Sequence, residues 1–563
     1  MKAGNLISRP WLASLGEIGR FSGAFLRQFL HMRSCKSSRT AAVLSAFAFI
    51  FAPIMNQNLS GADAAPGWNR GFEGQRKADI GDGTYVNPIV AGDHPDPSVL
   101  KLGKDYYLVH SSFESVPGLL IWHSQDLVNW EPVGPALNKY VGSVWAPDLS
   151  YHNGKFYIYF PALAANRLTN MVVTADNIRG PWSDPVDLNV GNIDPGHAIA
   201  SDGKRFLFFS AGYMAPLSDD GLHVTGEARK VYDGWKYPEN WDVETFAQEG
   251  PKILQHGEYY YMVLAEGGTA GPATSHMVIM ARAKSLEGPW VNSPYNPVVH
   301  TASAAEKWWS RGHATLVEGP DGKQWYLVYH AYENGYYGLG RQTLLEPVEW
   351  TDDGWVKASG YDVSRPIPLP SGGAPVASGI PLSDDFSAAS IGVRWAFFRP
   401  GHPVGELYRY ENHALVVKAA GTSPKDASPL TLICGDQAYE VQVEIERDET
   451  ATAGLLLFYS ERLFAGFGFS ADKMIEYRKG DVTAFAKPAT IGRHFFLKIR
   501  NNHHVVTVWY SADGQTWTKH WMQMEVSGYH HNVADGFLSL RPALLAAGAG
   551  EVRFRDFRYR ALP

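Results

Sequence analysis

Five ionisable side chains, Asp96, Asp148, Asp194, Glu249 and His313, recur at one station of a repeat and are the residues best suited to acid–base chemistry in this chain. Asp96 stands between Pro95 and Pro97 in the run NPIVAGDHPDPS, Asn87–Ser98. Proline fixes its own φ and disfavours the helical region for the residue before it, so a stiff loop with an extended Asp96 is expected. An isolated Asp-Pro is commonly only a turn signal. Its four counterparts in phase change that reading, because acids gathered around one axis repel unless a function or a bound cation offsets the cost. Carboxyls facing each other across such an axis suit glycoside hydrolysis by inversion. One protonates the leaving oxygen while another, roughly 6.5–9.5 Å away, activates water. The acid must stay protonated near neutrality, which requires burial or neighbouring negative charge. A third acid can supply that charge, and by residue type alone Asp148 and Asp194 are equal candidates.

The elements that would position these groups are visible as an internal repeat. GKDYYLVH from Gly103, GKFYIYF from Gly154, GKRFLFF from Gly203, GEYYYMVL from Gly257 and GKQWYLVY from Gly322 each follow one of the five ionisable residues. Every phrase is a turn glycine followed by aromatic and β-branched residues, which reads as a strand. A second phrase closes most units: SQDLVNW (Ser124–Trp130), ADNIRGPW (Ala175–Trp182), KSLEGPW (Lys284–Trp290) and LLEPVEW (Leu344–Trp350). A period of about fifty residues fits four-stranded blades arranged around an axis. Five units predict a five-bladed β-propeller over residues 85–368, with a solenoid of stacked hairpins as the competing architecture. In a propeller the five ionisable residues would lie on the innermost strands and ring the central channel.

The chain has 563 residues, 45% of them hydrophobic, enough for two or three domains with full cores. Lys+Arg (50) and Asp+Glu (57) nearly balance, so no basic surface for nucleic acid is expected, while 18 Trp and 28 Tyr suit carbohydrate. Residues 1–65 read as a targeting segment. Ser34–Arg39 is a basic region, Ala41–Met55 an apolar one, and Ala62-Asp63-Ala64 a small-residue cleavage site. Met32 is a more ordinary start for such a signal than Met1. The apolar run falls short of the roughly 20 residues of a membrane span. Export to the periplasm or outside the cell is therefore expected, with no membrane association after cleavage. Of two cysteines, Cys35 leaves with the signal and Cys434, in the apolar run LTLICGD, is expected to be buried filler.

With these motifs in view, the chain resembles glycoside hydrolase family 43, the five-bladed inverting β-xylosidases and α-L-arabinofuranosidases. NPIVAGDHPDPS resembles the family's catalytic-base motif, which implies that role for Asp96. NIDPGHAI matches the motif of the pKa modulator and implies Asp194 rather than Asp148. QEGPKI resembles the E-G-P motif and implies that Glu249 is the general acid. The resemblance further implies sugar contacts from Phe113 in HSSFESVPG, Trp145 in VWAPDL and Arg341 in YGLGRQTLLEP, and from His313 in RGHATLVEG. In many relatives that histidine faces a hydrated calcium, so His313 is the expected metal neighbour of a structural Ca2+, although the reaction needs no cofactor. Lys252 stands where many relatives have histidine.

Residues 369–381, which include SGGAP, read as a linker. Beyond them, over 382–563, YEVQVEIE, AGLLLFYS, HFFLKIR, HHVVTVWYSADGQTW and EVRFRDFRYRAL alternate with turn signals, predicting an all-β sandwich of jelly-roll type. This region resembles the concanavalin-like domain fused to many family 43 xylosidases, which lends a loop to the pocket; Leu463–Phe469 is one segment that could do so. The whole reads as an exo-acting inverting glycosidase that removes terminal β-D-xylose or α-L-arabinofuranose from hemicellulose oligosaccharides. The alternatives are an arabinan- or galactan-cleaving hydrolase on the same scaffold, a retaining fructosidase, and a carbohydrate-binding propeller without catalysis. The motifs leave the oligomeric state open.

Overall fold

The computed structural model describes residues 68–388 and 391–563, so the targeting segment lies outside the described residues. Five antiparallel sheets, each with a four-strand path in chain order, form the first part of the chain. Their first strands are Ser98–Leu102, Asp148–His152, Gly196–Ile199, Gln248–His256 and Trp308–Glu318. Each of these strands contacts the first strands of both neighbouring blades, and the fifth contacts the first, so the ring closes into the expected propeller.

The aromatic phrases form the second strands, such as Tyr259–Glu266 and Trp325–Glu333, which are apolar and buried because blades pack on both of their faces. In the first two blades the tryptophan of the closing phrase folds back on its own turn. Trp130 Nε1 donates to the Leu127 carbonyl at 2.9 Å, and Trp182 Nε1 to that of Ile178 at 3.3 Å. The phrase LLEPVEW differs: it lies within the third strand of the last blade, Arg341–Trp350.

The chain ahead of the first blade seals the ring. Thr84–Tyr85 pairs with Ile367–Pro368, and Asn87 Nδ2 donates to the Leu345 carbonyl at 3.0 Å while its Oδ1 accepts from the Leu345 N–H at 2.9 Å. The expected linker, 369–381, is held against the rest of the chain: the Leu369 N–H donates to the Gly83 carbonyl and the Gly379 N–H to the Trp130 carbonyl.

Two eight-stranded sheets pack as the expected sandwich, with one strand borrowed. Ser115–Val116, from the first blade, pairs with Ala396–Phe398 and becomes the edge of a sandwich sheet. The pairing supplies that edge with backbone partners and ties the two domains together. Phe113, two residues earlier, is buried in the sandwich core, and Trp145 packs against it. Cys434 is buried, as expected of filler, and is unpaired among the described residues. No described helix is long and apolar enough to cross a membrane.

Candidate active site

The mouths of the innermost strands share a backbone device. Asp96 (φ 58°), Asp194 (φ 56°) and His313 (φ 58°) adopt left-handed conformations, and beside Glu249 the same role falls to Gly250 (φ 63°). Such residues cost on the order of 1–3 kcal/mol each and persist only where surrounding contacts over-determine them. Asp96 thereby departs from the extended conformation expected ahead of Pro97. Its N–H donates to His330 Nδ1 at 3.1 Å, the Pro95 carbonyl accepts from the Ser111 N–H, and Thr315 Oγ1 donates to the Pro97 carbonyl at 2.9 Å. Aspartate also tolerates this region better than most residues.

These kinks turn three acids into one pocket of about 250 Å³, also lined by Phe113, Trp145, Thr269, His313 and Arg341. Asp96 is buried. Ser111 Oγ donates to its Oδ2 at 2.5 Å and Arg341 Nη1 to its Oδ1 at 3.0 Å. Burial pushes its carboxyl up, but the Arg341 guanidinium leads the opposing interactions, which together hold it well below the usual range. Asp194 is buried too, and its Oδ2 accepts from the Gly250 N–H at 3.1 Å and from Ser210 Oγ at 3.2 Å. Burial, then the charge of Asp96, pushes it up to about 7. Glu249 opens to the pocket with 23% of its side chain exposed. Desolvation, followed by the charges of Asp194 and Asp96, raises it well above the ordinary carboxyl range. One pocket therefore holds an ionised carboxylate and a protonated carboxylic acid, the pair that acid–base hydrolysis requires.

Asp148 has a different environment. Lys252 Nζ donates to its Oδ1 at 2.9 Å, and the His197 N–H donates to its Oδ2 at 2.9 Å. This buried ion pair lies on the innermost strands but outside the pocket of the other three acids. Geometry thus separates two aspartates that residue type could not.

His313 sits beside Asp96 and Glu249 and has no hydrogen-bond partner on either ring nitrogen among the described residues. Among the described residues, donor atoms of Asp96, His313 and His330, and of Glu249, His276 and His313, lie within 4.8 Å of one another. Two donors of each set are imidazole nitrogens, and the third is a carboxyl in the reactive pocket. Calcium prefers six to eight oxygens, which these donors do not supply, so a calcium here would have to be the hydrated ion that the resemblance implies, with its oxygens drawn from water.

Sequence reasoning missed four residues. Thr269 lines the pocket from the loop after the second strand of the fourth blade. His276 lies behind Glu249, with no motif of its own. From the sandwich come Gly536 and Phe537, and the Arg341 guanidinium lies 5.1 Å from the Phe537 ring centre. Tyr459 Oη donates to the Asp535 carbonyl at 2.9 Å and accepts from the Leu538 N–H at 3.3 Å, bracing the Gly536–Phe537 turn. Leu463–Phe469 does not reach the pocket. It is a fully buried strand between Ala451–Ser460 and Lys473–Arg478, so neither of its faces is free.

The description "Glycosyl hydrolases family 43" matches residues 85–356, and "Beta xylosidase C-terminal Concanavalin A-like domain" matches residues 383–560. The chain belongs to glycosyl hydrolase family 43. It is 36% identical over 348 residues to a non-reducing end alpha-L-arabinofuranosidase of Bacteroides ovatus, which covers 58% of this chain and 63% of that protein. It is 33% identical over 314 residues to a xylan 1,3-beta-xylosidase of a Vibrio species, covering 48% and 56%. The chain thus matches less than two thirds of either relative's length. A family 43 protein of Bacillus licheniformis superposes with a TM-score of 0.75 at 28% identity, over 85% of this chain and all of that one. A xylan beta-1,4-xylosidase of Bacillus halodurans superposes at 0.74 and 27% identity, over 84% of this chain and 99% of that one.

Proposed function

We propose that this family 43 member is an exo-acting, inverting glycosidase that releases a terminal pentose, β-D-xylose or α-L-arabinofuranose, from hemicellulose oligosaccharides. The observation that carries the reading is the opposed protonation of Asp96 and Glu249 in one pocket. Asp96, ionised against Arg341, takes a proton from water as that water attacks the anomeric carbon. Glu249 gives its proton to the departing glycosidic oxygen, so the C–O bond breaks as the new one forms and the configuration inverts. Asp194 supplies negative charge that keeps Glu249 protonated. Phe113, Trp145 and Phe537 offer apolar faces to the sugar ring, and Arg341 and His313 offer polar groups to its hydroxyls. A pocket walled by both domains suits one sugar at a chain end better than a chain passing through. The N-terminal composition supports action outside the cytoplasm.

The test is hydrolysis of aryl β-D-xylopyranoside and α-L-arabinofuranoside, with the first-formed anomer read by proton NMR. Inverted product, lost in both Asp96→Ala and Glu249→Ala, is expected. Retained configuration, or activity indifferent to both substitutions, overturns the reading.

A further inference from the structure

Beside Glu249 lies a layer of buried imidazoles, of which the proposed mechanism uses only His313. The rings of His276 and His330 stack with centres 5.1 Å apart and planes 3° from parallel, and His313 stands 5.8 Å from His330. The backbone is shaped to admit them. A Cβ at Gly312 would fall 2.0 Å from His276 Cδ2, and one at Gly250 would fall 2.6 Å from His313 Nε2. Glycine at both positions is thus a steric requirement of the layer, and these rings have fixed places.

His276 is locked in one tautomer. Its Nδ1 lies 2.6 Å from the Gly267 carbonyl oxygen, which only accepts, so Nδ1 carries the hydrogen. Its Nε2 is then a bare lone pair. That atom is buried, lacks a hydrogen-bond partner among the described residues, and lies 3.9 Å from Glu249 Oε1. A lone pair facing a carboxyl oxygen opposes the anion and welcomes the O–H form, because only the latter has a hydrogen to offer. The contact is longer than a hydrogen bond here, and such catalytic contacts tighten when substrate binds.

We propose that His276 is a positioning residue for the acid: an acceptor-only imidazole, fixed by the Gly267 carbonyl, that favours the protonated form of Glu249 and orients it. This deepens the reading of Glu249 as the proton donor and rests on it. The charged or titratable groups around Glu249 are Asp194, Asp96, Arg341, Glu266, His276 and His313. Those around His276 are His313, Arg341, Asp96 and His330. Glu266 lies on the same second strand as the residues paired with Gln248 and Glu249, and its Oε1 accepts from the Gly267 N–H at 3.1 Å, which helps fix the Gly267 carbonyl.

Two substitutions test the idea by different losses. His276→Phe keeps an aromatic ring on His330 and removes the lone pair, whereas His276→Asn keeps a donor for Gly267 and leaves nothing at the Nε2 position. Both are expected to move the alkaline limb of kcat/KM downward by about one pH unit. Both should also slow a glycoside with a poor leaving group about tenfold more than one with a dinitrophenyl leaving group, which needs little protonation. A merely structural role would slow both substrates alike and leave the limb in place, and that result in either folded variant overturns the proposal. A measurement on the unaltered protein stands apart from folding: nitrogen-labelled histidine spectra should show His276 as the Nδ1–H tautomer, and an Nε2–H tautomer overturns the proposal. If Glu249→Gln leaves the alkaline limb intact, the assignment of Glu249 itself has failed, which is a separate outcome.

Discussion

Arg341 and Asp96 are 245 residues apart in the chain, yet Nη1 of Arg341 lies 3.0 Å from Oδ1 of Asp96. Arg341 begins the third strand of the last blade, and Asp96 stands at the mouth of the first strand of the first. The guanidinium that keeps the proposed base ionised is therefore delivered by closure of the ring, and a propeller that failed to close would lose its base.

Replacing Arg341 with methionine should raise the pKa of Asp96, since burial alone pushes that carboxyl up and the guanidinium is the principal counterweight. The base must be ionised, so the acid limb of kcat/KM moves to higher pH, and activity at neutrality should fall on the order of 10²-fold or more. The same sign governs stability. A depressed carboxyl pKa stabilises the fold above the unfolded value and stops doing so as pH falls through the folded one. The variant should lose less stability than the parent on acidification, as denaturant titrations at several pH values would show.

Asp194→Asn removes the largest of the carboxylate charges that raise Glu249. Glu249 should then ionise at lower pH, and the alkaline limb should shift down while the acid limb stays in place. Steady-state rates across pH decide this. An unmoved alkaline limb would mean that desolvation alone keeps Glu249 protonated.

Phe537 reaches the pocket from the sandwich and stacks near Arg341. Phe537→Ala should raise KM several-fold, consistent with roughly 0.5–2 kcal/mol for a cation–π contact and lost sugar packing. Some stability should be lost as well, because the ring also stacks on His531 and packs against the edge of the sandwich core. Parallel kinetics and thermal melts separate the two effects.

Lys252 and Asp148 form a buried pair. Lys252→Met leaves an uncompensated buried carboxylate and should cost about 3–5 kcal/mol, most of which Asp148→Asn in the same chain should restore. Denaturant unfolding of the two single variants and the double variant measures this, and an additive result would dissolve the pair.

Asp96, Asp194 and Glu249 were legible because a propeller repeats one strand station, so in-phase residues in sequence become neighbours around one axis. The aromatic second strands were legible for a related reason: blades bury both faces, which leaves uninterrupted apolar runs. Asp148 and Asp194 occupied equivalent stations and could not be told apart by residue type. What distinguishes them is Lys252, two blades away, which neutralises one and leaves the other to face Glu249. Leu463–Phe469 was one candidate for the loop that the family resemblance implies, but it is a strand buried between two others. The true contributor, Phe537, follows a four-residue helix that carries no motif.

The sequence by itself determined the repeat, the two all-β domains and the residue types of the acid–base set, because these depend on local periodicity and on side-chain chemistry. Only the tertiary structure decided which carboxyl is ionised, which is protonated and what walls the pocket. Protonation is set by burial and by charges a few ångströms away, and here those charges come from Arg341, Asp194 and Lys252 on different blades. Closure of the ring and docking of the sandwich bring them together, and neither event has a counterpart in the order of residues along the chain.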